Sequence, residues 1–118
     1  GYKVVRPVAI PVSLESEGWQ VRNLPAGFRE VQSARRSLGT PDDPRTPVVL
    51  QAIFSDGLTH VSLFIEPFQP GRHQAQGSTA IGATHSLVLQ RGTQWITVLG
   101  DVPVETLQRF VDALERRR

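Results

Sequence analysis

The feature that most constrains this chain is Asp56-Gly57, set between two alternating apolar runs. Aspartate followed by glycine is a strong hairpin signal, because a type I′ turn holds both central residues at positive φ. A two-residue loop with Ser55 opposite Leu58 puts Val48, Leu50, Ala52 and Phe54 on one face with Thr59, Val61, Leu63 and Ile65. Seven of those eight are apolar. A one-residue slip would turn them all to water, so the face is strongly specified. The other face, with Val49, Gln51, Ile53, Leu58, His60, Ser62 and Phe64, is mixed. That predicts partial cover by another element or by a partner.

A second hairpin is predicted from residues 84–90 and 94–100 about a turn near Gly92-Thr93. It places Leu87 and Leu89 beside Val98 and Ile96, with Val88 and Trp95 on the opposite face. A helix follows from about Pro103 to Arg116. Proline suits its first turn, and Val104, Leu107, Val111 and Leu114, with Phe110 beside them, recur at helical spacing. Glu105 sits at the positive end of the helix and Arg116-Arg117-Arg118 at the negative end.

Upstream, residues 1–17 are rich in Val and Ile but carry Pro7 and Pro11, which reads as an interdomain linker or an extra edge strand. A short strand is predicted at 19–23, a turn at 24–28 and extended chain at 28–38. Residues 39–47, with three prolines, and residues 66–82, polar and glycine-rich, are expected to be loops. The fold class that follows is α+β: a mostly antiparallel sheet of two hairpins plus N-terminal strands, with one C-terminal helix packed on one face.

Composition removes several functions. The formal net charge of +2 is far from the dense basic stripe of a nucleic-acid binder. No apolar run is long enough to span a membrane. With no cysteine there is no disulfide, thiol nucleophile or cysteine-bearing metal site. Methionine is absent even at position 1, so we expect a mature or truncated piece of a longer protein.

The chemistry-bearing residues gather into no enzyme signature. His60, His73 and His85 match no metal-ligand spacing, and the glycines form neither a dinucleotide fingerprint nor a P-loop. Ser55, Asp56 and His60 lie close together, but no Gly-x-Ser-x-Gly elbow raises a serine above a sheet. Arg35-Arg36 is harder to dismiss, since adjacent strand residues point to opposite faces and one guanidinium must overlie the sheet. Either an internal pair with Glu30, Asp42 or Asp43, or a partner, can supply its acceptor.

Several segments together resemble the C-terminal domain of the RseB/MucB family, periplasmic regulators of sigma-E. They are Trp19 with Leu24-Pro25-Ala26-Gly27-Phe28, Ser33-Ala34-Arg35-Arg36, Phe54-Ser55-Asp56-Gly57-Leu58, Val61-Ser62-Leu63-Phe64-Ile65, and Thr97-Val98-Leu99-Gly100-Asp101-Val102-Pro103. The resemblance implies a non-enzymatic module, residues 18–118, that binds the periplasmic segment of an anti-sigma factor and shields it from proteolysis. It also implies an N-terminal lipid-binding domain of the same protein, absent from this chain, with residues 1–17 coming from the interdomain connection or adding a strand. No cofactor and no metal are expected, the location is the periplasm, and self-association is left open. The candidate partner-binding residues are Arg35, Arg36, Phe64 and Phe68. The alternative function is a lipid or signal-ligand binding domain of an envelope protein.

Overall fold

The computed structural model describes residues 8–37, 48–70 and 75–116. In chain order these form β1 (Val8–Pro11), a 3-10 turn (Glu15–Glu17), β2 (Trp19–Val21), β3 (Arg29–Ser37), β4 (Val48–Ser55), β5 (His60–Pro67), β6 (Gly77–Ile81), β7 (Thr84–Arg91), β8 (Gln94–Gly100), α1 (Val104–Ala113) and β9 (Leu114–Arg116). Seven strands make one sheet in the order β1-β3-β4-β5-β8-β7-β6, and β2 with β9 makes a second, two-stranded sheet. Every pairing is antiparallel. This is the expected α+β architecture, with the helix packed on one face.

The core lies between that face and α1. Ala52 and Phe54 of β4, Val61, Leu63 and Ile65 of β5, and Ile96 and Val98 of β8 meet Leu107, Phe110 and Val111 of the helix. Leu14, Trp19 and Leu114 close the margins. Phe110 sits at the centre: its ring centroid is 5.2 Å from that of Phe28 and 5.2 Å from that of Phe54. Burying each large aliphatic side chain stabilises the fold by about 1.5–3 kcal/mol. The alternation in β4 and β5 is therefore what fixes which face the helix covers.

The first hairpin has a longer loop than its sequence suggests. Ser55 pairs with His60 rather than with Leu58, so the loop holds Asp56, Gly57, Leu58 and Thr59. The Asp56 carboxylate accepts the amides of Leu58 and Thr59 at 2.9 and 2.8 Å, and the Ser55 hydroxyl accepts the Gly57 amide at 3.0 Å. These side-chain bonds offer the turn an alternative to the two-residue form. Only Gly57 of the central pair takes a positive φ, +99°. The shift in register is two residues, an even number, so both faces keep the membership expected of them. The second hairpin turns at Gly92-Thr93, with Leu87 opposite Val98 and Leu89 opposite Ile96, as expected.

Three expectations are corrected. Residues 66–82 are not loop throughout: β5 runs to Pro67, and β6 pairs with β7. Every residue of β6 is exposed, so no face of it is buried and the alternation that reveals a strand is missing. The helix stops at Ala113, because Leu114 turns to extended backbone (φ −78°, ψ 129°) and opens β9 against β2. Leu114 is buried in the strand just as the helical stripe would bury it, so spacing alone does not mark the break. The arginines after Ala113 therefore do not form the last helical turn, which carries no basic residue. The Arg91 guanidinium serves there instead, donating to the carbonyls of Val111 and Leu114, each at 2.9 Å. The predicted loop at 39–47 lies outside the described residues.

Candidate functional site

The sheet face away from α1 carries most of the residues nominated for binding. Register places Ala34, Gln51, Phe64, Thr97 and Val88 in one row across β3, β4, β5, β8 and β7. The next row toward the β7–β8 turn holds Arg36 beside Val49, then Glu66, Trp95 and Gln90. A third row holds Gln32, Ile53, Ser62, Leu99 and Ser86. The face is thus a mixed surface with apolar side chains at its centre and an arginine toward one edge.

Phe68 leaves the end of β5 and returns to this face. Its amide donates to the Thr93 carbonyl at 2.9 Å, and its ring lies 5.8 Å from the Trp95 ring at a tilt of 34°. Trp95 is only 6% exposed although it points away from the helix. Phe64 is half-buried one row further along. Arg36 stands two strand spacings, about 10 Å, across the sheet from β5, and its side chain is exposed.

Arg35 is separated from these three. It faces the helix side, opposite Leu50, and its Nε lies 3.3 Å from the Glu17 carboxylate. The two adjacent arginines do take opposite faces, but the internal acceptor is Glu17, on the 3-10 turn. Glu30 is engaged elsewhere, accepting from the Ser33 hydroxyl and from the Leu14 amide. Asp42 and Asp43 lie outside the described residues. Sequence spacing could not reveal Glu17 as the partner, because Pro11 and the 3-10 turn together decide where that carboxylate returns.

The other chemistry-bearing residues stay dispersed. Among the described residues no three His, Asp or Glu side chains gather as a metal site requires. His60 is exposed at the end of the first hairpin, and His85 is half-buried on the helix side. His73 lies outside the described residues. The Ser55 hydroxyl is committed to the Gly57 amide. Trp95, on the open face near the β7–β8 turn, is not among the candidate residues although it lies in the alternation of the second hairpin. Its signal was a tryptophan on the face opposite the leucines.

The chain is similar to known proteins. The model of the MucB/RseB C-terminal domain matches residues 13–115. The chain is 36% identical over 95 residues to the sigma factor AlgU regulatory protein MucB of Pseudomonas aeruginosa, a match covering 77% of this chain and 28% of that protein. It is 28% identical over 109 residues to the sigma-E factor regulatory protein RseB of Escherichia coli K12, covering 92% of this chain and 33% of that one. The chain thus spans about a third of the length of these curated relatives, which are named as regulators and not as enzymes. A crystal structure of MucB in complex with MucA(peri) superposes with a TM-score of 0.64 at 30% identity, over 86% of this chain and 37% of that one. The matched stretch takes in every core residue from Leu14 to Leu114, and the chain belongs to the MucB/RseB C-terminal domain family.

Proposed function

We propose that this domain is a non-enzymatic regulatory module of the periplasm. It binds the periplasmic segment of an anti-sigma factor, shields that segment from proteolysis and so restrains the sigma-E response. The observation that carries this reading is the likeness, at 30% identity, to MucB solved in complex with MucA(peri). The open sheet face supports it: Phe64 and Phe68 offer apolar area beside Trp95, and Arg36 offers an exposed guanidinium. Aromatic and arginine anchors of this kind dominate protein interfaces.

In this reading residues 18–118 are the domain, and residues 1–17, whose Val8–Pro11 adds an edge strand beside β3, connect it to a lipid-binding domain of the same protein. The hollows described on this chain, about 270 to 340 Å³, are open and lined in part by charged groups. That favours a protein segment over a lipid chain, which would want an enclosed apolar cavity. No helix among the described residues is long and apolar enough to cross a membrane.

The test is calorimetric titration of the folded chain with the purified periplasmic region of the cognate anti-sigma factor, alongside protease protection of that region. Saturable binding with slowed cleavage is expected. A folded chain that neither binds nor protects overturns the reading.

A further inference from the structure

A second polar site lies on the helix side of the sheet, at the end where β7 turns into β8. Trp19, Arg91, Gly92, Thr93, Gln94 and Arg116 line an open hollow of about 270 Å³. Two of the six are arginines and none is acidic. Arg91 shares the face of Leu89, so it points under the end of α1, where its terminal nitrogens hold the Val111 and Leu114 carbonyls. Those two bonds use only part of a guanidinium's donor set. Arg116 is the cross-strand partner of Trp19, and its guanidinium lies 5.0 Å over the indole ring.

Neither arginine is within ion-pair distance of a carboxylate among the described residues. Glu115 is next to Arg116 in sequence but alternates to the other side of β9, where it pairs with Arg22 at 3.5 Å. Arg91 is held by carbonyls at the negative end of α1 and offsets part of that dipole, Arg116 is held by an aromatic face, and neither charge is met by a carboxylate among the described residues. A guanidinium already fixed in this way needs little further ordering to grip an anion. Thr93 and Gln94 add neutral polar groups at the rim.

The geometry points to a carboxylate-binding site, which takes a single Asp or Glu side chain of a partner polypeptide between Arg91 and Arg116. Charge complementarity selects an acid. The hollow is open to solvent, so a side chain can enter it from outside. The site is on the opposite side of the sheet from Arg36, Phe64 and Phe68, so it stands or falls independently of the reading above.

The isotopically labelled chain is titrated at constant ionic strength with acetyl-Glu-Glu-amide, acetyl-Gln-Gln-amide and inorganic phosphate. The signals followed are the Trp19 indole N–H and the Nε–H groups of Arg91 and Arg116. The diglutamate peptide is expected to move them saturably and the diglutamine peptide to leave them. Arg116→Gln, at an exposed position and checked for an unchanged melt, is expected to raise the Kd about tenfold or more. Arg109→Gln, at an exposed position of α1 that does not line the hollow, is expected to leave it alone. Equal shifts from the diglutamine peptide, or an unchanged Kd in Arg116→Gln, overturn the site. Phosphate binding more tightly than the diglutamate overturns the choice of a carboxylate. Should Arg116→Gln melt early, Arg116→Lys keeps a cation over the indole but loses the fork, and a parental Kd in that variant also overturns the site.

Discussion

Arg91 donates to the Leu114 carbonyl at 2.9 Å, tying the last residue of β7 to the point where the helix becomes a strand. The same guanidinium also donates to the Val111 carbonyl, which accepts the Leu114 amide as well, so one side chain grips the helix end at two carbonyls. Arg91→Ala should cost roughly 1.5–3 kcal/mol, the range for hydrogen bonds to a charged group. Arg91→Lys should recover part of that, since an ammonium is a point charge and not a fork. Urea unfolding of the three proteins measures it, and equal midpoints would show that the bonds carry no stability.

Leu107 is fully buried beneath the sheet. Replacing it with alanine removes transfer energy and leaves a cavity, at a cost of about 2–5 kcal/mol. The total stability of such a domain is only about 5–15 kcal/mol. Leu107→Ala should therefore unfold at a clearly lower temperature, and a parental melting curve would mean that α1 is not a core element.

Gly57 has φ +99°, and nothing lies within 4 Å of where a Cβ would stand. The cost of a side chain there is conformational and not steric contact. Gly57→Val should lose about 1–3 kcal/mol, because a β-branched residue resists that region of backbone space. Differential scanning calorimetry checks it. A loss near zero would require the loop to adopt another conformation at no cost.

How much of this was legible in the chain follows from what each residue buries. Phe54, Val61, Leu63 and Val98 alternate because one face of their strands is covered, and alternation is visible in sequence. The β6 strand buries nothing, so Gly77–Ile81 looks like loop. The break at Leu114 is silent because the residue is buried in either conformation, and the partner that stabilises the break, Arg91, is 23 residues away. The candidate face was half legible. Phe64 announced itself on the mixed face of the first hairpin, whereas the Phe68–Trp95 contact depends on how the chain turns after Pro67. The assignment of Arg35 to Glu17 depends on three-dimensional return of the chain and has no local signature.

The Asp56 carboxyl should give the fold an acid-side pH dependence. The amides of Thr59 and then Leu58 donate to it and hold its pKa below the ordinary aspartate value. A carboxyl depressed on folding adds stability that is fully present above its unfolded value, about 3.9, and is lost as pH falls through its folded value. Asp56→Asn cannot titrate, so its stability should fall less steeply over that acid window than the parent's. Urea midpoints taken from about pH 5 downward compare the two, and superimposable profiles would remove Asp56 from the account.

Arg36 and Arg35 offer the sharpest separation of binding from folding, because they are neighbours in sequence and sit on opposite faces of β3. Arg36 is exposed on the open face, in the row that leads through Val49 toward Trp95. Charge reversal there should move folding stability by no more than about 0.5 kcal/mol, as at ordinary surface positions. If the guanidinium pairs with a buried partner carboxylate, the same change should weaken association by about 2–5 kcal/mol. Arg35 behaves in the reverse way. Its Nε pairs with Glu17 across a gap of 3.3 Å, and its side chain is 45% exposed, so solvent screens the pair. The pair is then worth less than about 1 kcal/mol, and Arg35→Glu sets two carboxylates against each other at a comparable penalty. Thermal unfolding and titration with the anti-sigma periplasmic region are run on Arg35→Glu and Arg36→Glu separately. The expected pattern is a small stability loss with parental binding for the first, and parental stability with weakened binding for the second. Parental binding in Arg36→Glu would remove this arginine from the interface, and weakened binding in Arg35→Glu at unchanged stability would move the interface to the helix side.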